Sequence, residues 1–135
     1  MATFPLELVT PERLMFSEEV QAVRAPGVDG SFGVLAGHVP LLTQLKVGLI
    51  KITLPGGREE LIATTGGFMQ VSRHKVIILA DSAQRASEID MESERAEATR
   101  MQQALEVPGS NIDAAKLRED LQAALNRIHV AQMHS

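Results

Sequence analysis

Leu49-Ile50-Lys51-Ile52-Thr53-Leu54-Pro55-Gly56-Gly57-Arg58 decides the fold of this 135-residue chain. Ile50, Ile52 and Leu54 alternate with Leu49, Lys51 and Thr53, the two-residue period of a half-buried strand. Pro55-Gly56-Gly57 then reads as a hairpin loop into a returning strand over residues 58–65. Outward from there the same grammar repeats. Phe4, Leu6 and Leu8 alternate with Pro5, Glu7 and Val9. Val76-Ile77-Ile78-Leu79 is apolar at every position, which predicts a strand covered on both sides, since a buried helix would need more length. Nine of the ten glycines and five of the six prolines precede Phe68. Turn residues that dense, between short β-branched runs, predict an all-β sandwich or barrel with roughly eight to ten strands by Asp81.

From Ser87 the period changes. Ser87-Glu88-Ile89-Asp90 and Ser110-Asn111-Ile112-Asp113 have the capping-box form, in which a hydroxyl answers a free backbone N–H and an acid three residues on answers back. In the second stretch Ala114, Leu117, Leu121, Ala124, Ile128 and Ala131 recur at helical spacing, with Leu125 beside the stripe. The first stretch, from about Ser87 to Leu105, has a thin stripe of Met91, Ala98, Met101 and Leu105 among many charges. Pro108-Gly109 between the two predicts an antiparallel α-helical hairpin. The expected division is therefore a β domain over residues 1–86 and a two-helix tail over residues 87–135. The tail has few large apolar side chains, so it should need its own lobe or a partner to pack against.

Composition excludes several chemistries. No cysteine is present, so disulfides, thiolate nucleophiles and Cys-based zinc sites are ruled out. His129 and His134 stand five apart, about 140° round a helix, and share no metal-binding face. The glycine segments 27–33 and 66–67 lack a following Gly-Lys-Ser/Thr triplet and read as β-turns, not phosphate loops. No Gly-x-Ser-x-Gly elbow occurs, and the acids Glu88, Asp90, Glu92, Glu94 and Glu97 read as a solvated helix face. Residues 87–135 carry five Lys/Arg against nine Asp/Glu, while residues 1–86 balance at eight each. That distribution offers no clustered basic surface for nucleic acid. No run approaches the roughly 20 apolar residues of a membrane span, and residues 1–5 hold no signal or transit pattern. The residues thus describe a non-enzyme. A free nucleotide sensor and a small β-fold enzyme are the other readings weighed, and neither has a complete motif.

Several stretches together carry a resemblance over essentially the whole length: Leu8-Val9-Thr10-Pro11-Glu12; Gly30-Ser31-Phe32-Gly33-Val34-Leu35-Ala36-Gly37-His38-Val39-Pro40-Leu41-Leu42-Thr43; Gly66-Gly67-Phe68-Met69-Gln70-Val71; Lys75-Val76-Ile77-Ile78-Leu79-Ala80-Asp81; and Asn126-Arg127-Ile128-His129-Val130-Ala131. In that order they resemble the epsilon-subunit family of bacterial and chloroplast F-type ATP synthases, counterpart of the mitochondrial delta subunit. The resemblance implies a flattened ten-strand sandwich plus a helical hairpin, in a central-stalk subunit that couples rotation to proton-driven ATP synthesis. It implies contacts to the gamma subunit and the c-ring through Asp29, Gly30, Ser31, Phe32, Gly33, His38, Pro40 and Leu42. Ser31 stands where many relatives carry an acid. The tail, in such proteins, folds down on the sandwich or extends toward the alpha and beta subunits to block ATP hydrolysis, and Lys116, Arg118 and Arg127 are the cations available for an acidic beta-subunit segment.

Some relatives bind ATP on the folded tail through an Ile/Leu-Asp-x-x-Arg-Ala motif. Here Ile89-Asp90 is present, but Ser93-Glu94 occupies the Arg-Ala positions and Arg95-Ala96 comes two residues late, about 200° round a helix. Gln84 stands where such relatives have a carboxylate. Ile89, Asp90, Arg100 and Arg127 remain as candidate contacts, and the expectation is weak or absent ATP binding, with no cofactor or metal. The implied location is peripheral, on the cytoplasmic face of a bacterial inner membrane or the stromal side of a thylakoid. Membrane association would come only through the complex.

Overall fold

The computed structural model describes residues 2–107 and 113–134. Ten strands come first: β1 Phe4–Val9, β2 Leu14–Val20, β3 Ala22–Gly27, β4 Gly30–Leu35, β5 Leu41–Leu45, β6 Gly48–Thr53, β7 Glu59–Thr64, β8 Gly67–Val71, β9 Val76–Ala80 and β10 Ala83–Arg85. A 3-10 turn, Ala86–Glu88, leads to helices α1, Met91–Leu105, and α2, Ala114–His134. The expected β-sandwich followed by a two-helix region is what the chain forms.

The strands make one curled sheet in the order β10-β7-β6-β3-β5-β8-β9-β1-β2, with β4 also on β3. Its two halves join through a single pair, Gly27 opposite Leu45. Alternation sends every second side chain inward, so Val23, Val34, Ile50, Ile52 and Ile62 of one half meet Leu6, Leu8, Met69 and Ile78 of the other in one core. At the far edges Arg85 of β10 donates through Nη2 to the Met15 carbonyl of β2, and its guanidinium also pairs with Glu60 at 3.5 Å. This side chain closes the seam that the backbone leaves open.

The hairpin at Pro55-Gly56-Gly57 forms as expected, with Gly57 N donating to Leu54 O at 2.9 Å and Leu54 N to Arg58 O at 2.7 Å. So does a two-residue turn at Val28-Asp29, between the paired Gly27 and Gly30. Gly66 and Gly67 do not make such a turn. They form the corner where the chain leaves β7 for β8 in the other half of the sheet, at φ +135° and +141°. A Cβ on Gly67 would stand 2.1 Å from the Leu79 carbonyl oxygen, so this corner requires glycine.

Helix α1 starts three residues later than the capping-box reading places it, with the cap at Asp90 instead of Ser87. Asp90 is its N-cap, its carboxylate accepting from Ser93 N at 3.1 Å, while residues 86–88 stay in the 3-10 turn. A carboxylate caps as well as a hydroxyl and adds favourable charge at the positive end of the helix. The expected cap at Ser110 lies outside the described residues. Asp113 accepts from Lys116 N at 3.1 Å and thereby caps α2 itself. Ala98 and Met101 of α1 pack with Leu117, Leu121, Ala124 and Ile128 of α2. The opposite side of α2 seats Val130 on Leu49, Leu61, Ala63 and Ala86, joined by Ile89. Asn126 Nδ2 donates to Gly48 O at 2.8 Å and Thr64 O at 3.4 Å, tying α2 to the opposed β6 and β7 residues.

Candidate interaction surfaces

One outer face of the sandwich is covered by α2, and the other is not. On the uncovered side Phe68, Leu79, Val9 and Leu14 lie directly opposite one another across β8, β9, β1 and β2. Phe68 is 50 % exposed, Leu79 54 % and Leu14 54 %. Leu42 on the adjoining β5 is 70 % exposed, in the next row with Gln70, Ile77 and Glu7. The expectation that residues 76–79 are covered on both faces is therefore wrong for this chain alone. Val76 and Ile78 are buried, Ile77 is half-buried and Leu79 faces outward. Such a contiguous exposed apolar row across four strands is the mark of a docking surface.

The sandwich residues expected to meet partners fall at two ends of β4. Asp29, Gly30 and Ser31 are exposed at the tip of the β3–β4 hairpin, which Val28 N ties to Gln44 O at 3.0 Å. Phe32 is half-buried against the core. Gly33 leaves room for the Arg24 guanidinium, whose Nη1 reaches Ser31 Oγ at 3.5 Å. A cation thus lies beside the Ser31 hydroxyl. His38 is at the other end, about 17 Å away by strand rise; its Nδ1 is 2.7 Å from Val39 O. Around it Leu35, Val39, Pro40 and Leu42 are exposed.

The tail residues do not converge on a single site. Lys116 pairs with Asp120 at 2.6 Å, a hydrogen bond that raises the lysine pKa and holds it charged. Arg118 is exposed. Both line an open groove of ≈ 1110 Å³ shared with Val28, Lys46 and Asp81. Arg127 Nε meets Glu94 Oε1 of α1 at 3.0 Å. Arg100 is held by Glu97 through two contacts of 2.8 and 2.9 Å, Asp90 is spent on the cap, and Ile89 packs in the apolar cluster under α2. The four nucleotide candidates are thus engaged in different places. Among the described residues no group of three His, Asp or Glu side chains could hold a metal ion, and no helix is long and apolar enough to cross a membrane.

Sequence reasoning missed Phe68, Leu79, Leu14, Glu94 and Arg24. The two-faced apolar pattern of 76–79 is the available signal for Leu79. Nothing local marked Glu94, one acid among many, or Arg24.

The family model for the ATP synthase delta/epsilon chain β-sandwich domain matches residues 3–86. The ATP synthase epsilon chain of Desulforamulus reducens is 44 % identical over 127 residues, covering 94 % of this chain and 96 % of that one. That of Syntrophomonas wolfei is 36 % identical over 131 residues, covering 97 % and 96 %. In fold the chain matches a chain of the Euglena gracilis mitochondrial ATP synthase OSCP/F1/c-ring structure, with a TM-score of 0.80 at 24 % identity, over 99 % of this chain and 83 % of that one. A chain of the Tetrahymena thermophila mitochondrial ATP synthase central stalk/c-ring matches with a TM-score of 0.58 at 14 % identity, over 97 % and 95 %. A match of the family model over residues 3–86 and near-full-length identity with epsilon chains mean that this chain belongs to the ATP synthase delta/epsilon family, as a non-catalytic subunit of that machine.

Proposed function

We propose that the uncovered apolar face docks the gamma subunit, so that the sandwich turns with the central stalk. The observation that carries this is the in-register row Phe68–Leu79–Val9–Leu14, flanked by Leu42. Covering each of its large side chains contributes about 1.5–3 kcal/mol, and a long central subunit is the kind of partner that a face several strands wide accommodates. His38 and Pro40 stand at the rim. The hairpin tip with Asp29, Gly30, Ser31 and Gly33 is then left for the polar loops of the c-ring. The solved relatives come from assemblies named for F1, the central stalk and the c-ring, in keeping with both contacts. Location follows from the complex: peripheral to the membrane, on the cytoplasmic or stromal side.

The tail is the second working part. In its folded form Arg127 is paired across the hairpin with Glu94, so it becomes available to an acidic segment of a beta subunit only when the hairpin rearranges; Lys116, paired within α2 to Asp120, and Arg118 are exposed already. Weak or absent ATP binding belongs to the same reading. The docking face is tested by Phe68→Asp with Leu79→Asp, which should lower co-purification with gamma by about tenfold or more. Undiminished co-purification of that folded variant would assign gamma to another surface.

A further inference from the structure

Between α2 and the β7–β10 edge lies a cavity of ≈ 220 Å³ whose polar walls include Thr65, Ser82, Gln84 and Asn126, with Arg127 as its one cation among the described residues. Arg127 is turned to Glu94 of α1, the two side chains being 25 % and 18 % exposed. This is the only ion pair between the helices among the described residues. The second oxygen of Glu94, Oε2, is buried without a hydrogen-bond partner. A carboxylate so placed depends heavily on its one cation, and the cation on it.

We propose that Glu94 is a built-in anion, which closes the helical hairpin on Arg127 without any ligand and so excludes free polyphosphates from the cavity. This rests on the reading of the tail as a brake that can open, and adds what holds it shut. A tethered carboxylate acts at an effective concentration of millimolar order, so a diffusing anion has to displace it and then sit beside its charge. Glu94 falls where the nucleotide-binding motif would have alanine. The substitution that spoils the motif thus supplies a latch.

The chain has no cysteine, so spin labels on Gln103→Cys and Gln122→Cys in the full-length chain report the hairpin width by pulsed electron resonance. One narrow distance is expected with Glu94 present. Glu94→Gln, close in shape but uncharged, should raise the population of a longer distance about fivefold or more. The exchanged pair, Glu94→Arg with Arg127→Glu, should restore the narrow distance. Calorimetry with inorganic tripolyphosphate should show about tenfold or more tighter binding to Glu94→Gln than to the unaltered chain. Unchanged distances in Glu94→Gln, failure of the exchanged pair to close, or equal tripolyphosphate affinity would each overturn the latch. All of this is read on the chain alone, so its failure is distinct from failure of the brake, which is read as ATP hydrolysis in the assembled complex.

Discussion

Gly67→Ala places a methyl group within 2.1 Å of the Leu79 carbonyl at a backbone angle that L-residues rarely adopt. We expect it to destabilise the sandwich by about 3 kcal/mol or more, seen as a lower urea midpoint. The same substitution at exposed Gly33, with an ordinary contact of 3.4 Å to Arg24, should cost far less. On the tail, the hydrogen bond from Arg100, with its charge second, holds the Glu97 carboxyl below the usual carboxylate range. A depressed carboxylate pKa means that this pair supports α1 at neutral pH and loses its support as pH falls through the lowered value. An NMR titration should find the Glu97 midpoint higher in Arg100→Ala. Both residues are legible in sequence as types, a glycine and an i,i+3 pair. That Gly67 is a corner instead of a turn was not legible, because its restriction comes from Leu79, twelve residues away.

Helix α2 works with two faces. Its Leu117, Leu121, Ala124 and Ile128 stripe was read from spacing and does meet α1. The face that docks on the sandwich, Asn126 and Val130, is not legible in the sequence, because an asparagine in a helix looks like a solvent position until it meets the carbonyls of Gly48 and Thr64. Asn126→Ala should leave α2 helical and loosen it from β6 and β7. Removing a donor from two carbonyls costs about 1 kcal/mol, so α2 amides near Val130 should exchange with solvent about fivefold faster while those of β1 and β9 are unchanged. Strand β9 teaches the reverse lesson. Its apolar pattern predicts two-sided cover, and the element has cover on one side only; the second side is the exposed Leu79 of the proposed gamma face.

At the scale of the molecule, deleting residues 88–135 removes Ile89, Asn126 and Val130 and bares Leu49, Leu61 and Ala63. The main core contains no residue from this segment, so the remaining lobe should keep its β-rich circular dichroism and its gamma binding. ATP hydrolysis by the assembled complex should rise severalfold, and a hydrophobic dye should bind the bared face. Unchanged hydrolysis would count against an inhibitory tail. What the sequence by itself determined is the class and order of parts: a strand-rich lobe punctuated by glycine and proline, then two helices. Those signals are local, because side-chain period and turn chemistry are set by neighbours a few residues apart. Tertiary structure alone decided how the sheet curls through Gly27 and Leu45 and closes at Arg85 on Met15, seventy residues away. It also decided which outer face α2 covers, and that Arg127 finds Glu94 rather than solvent. These depend on distant segments meeting in space, and no period in the chain encodes which charged or apolar surface will be left without a neighbour.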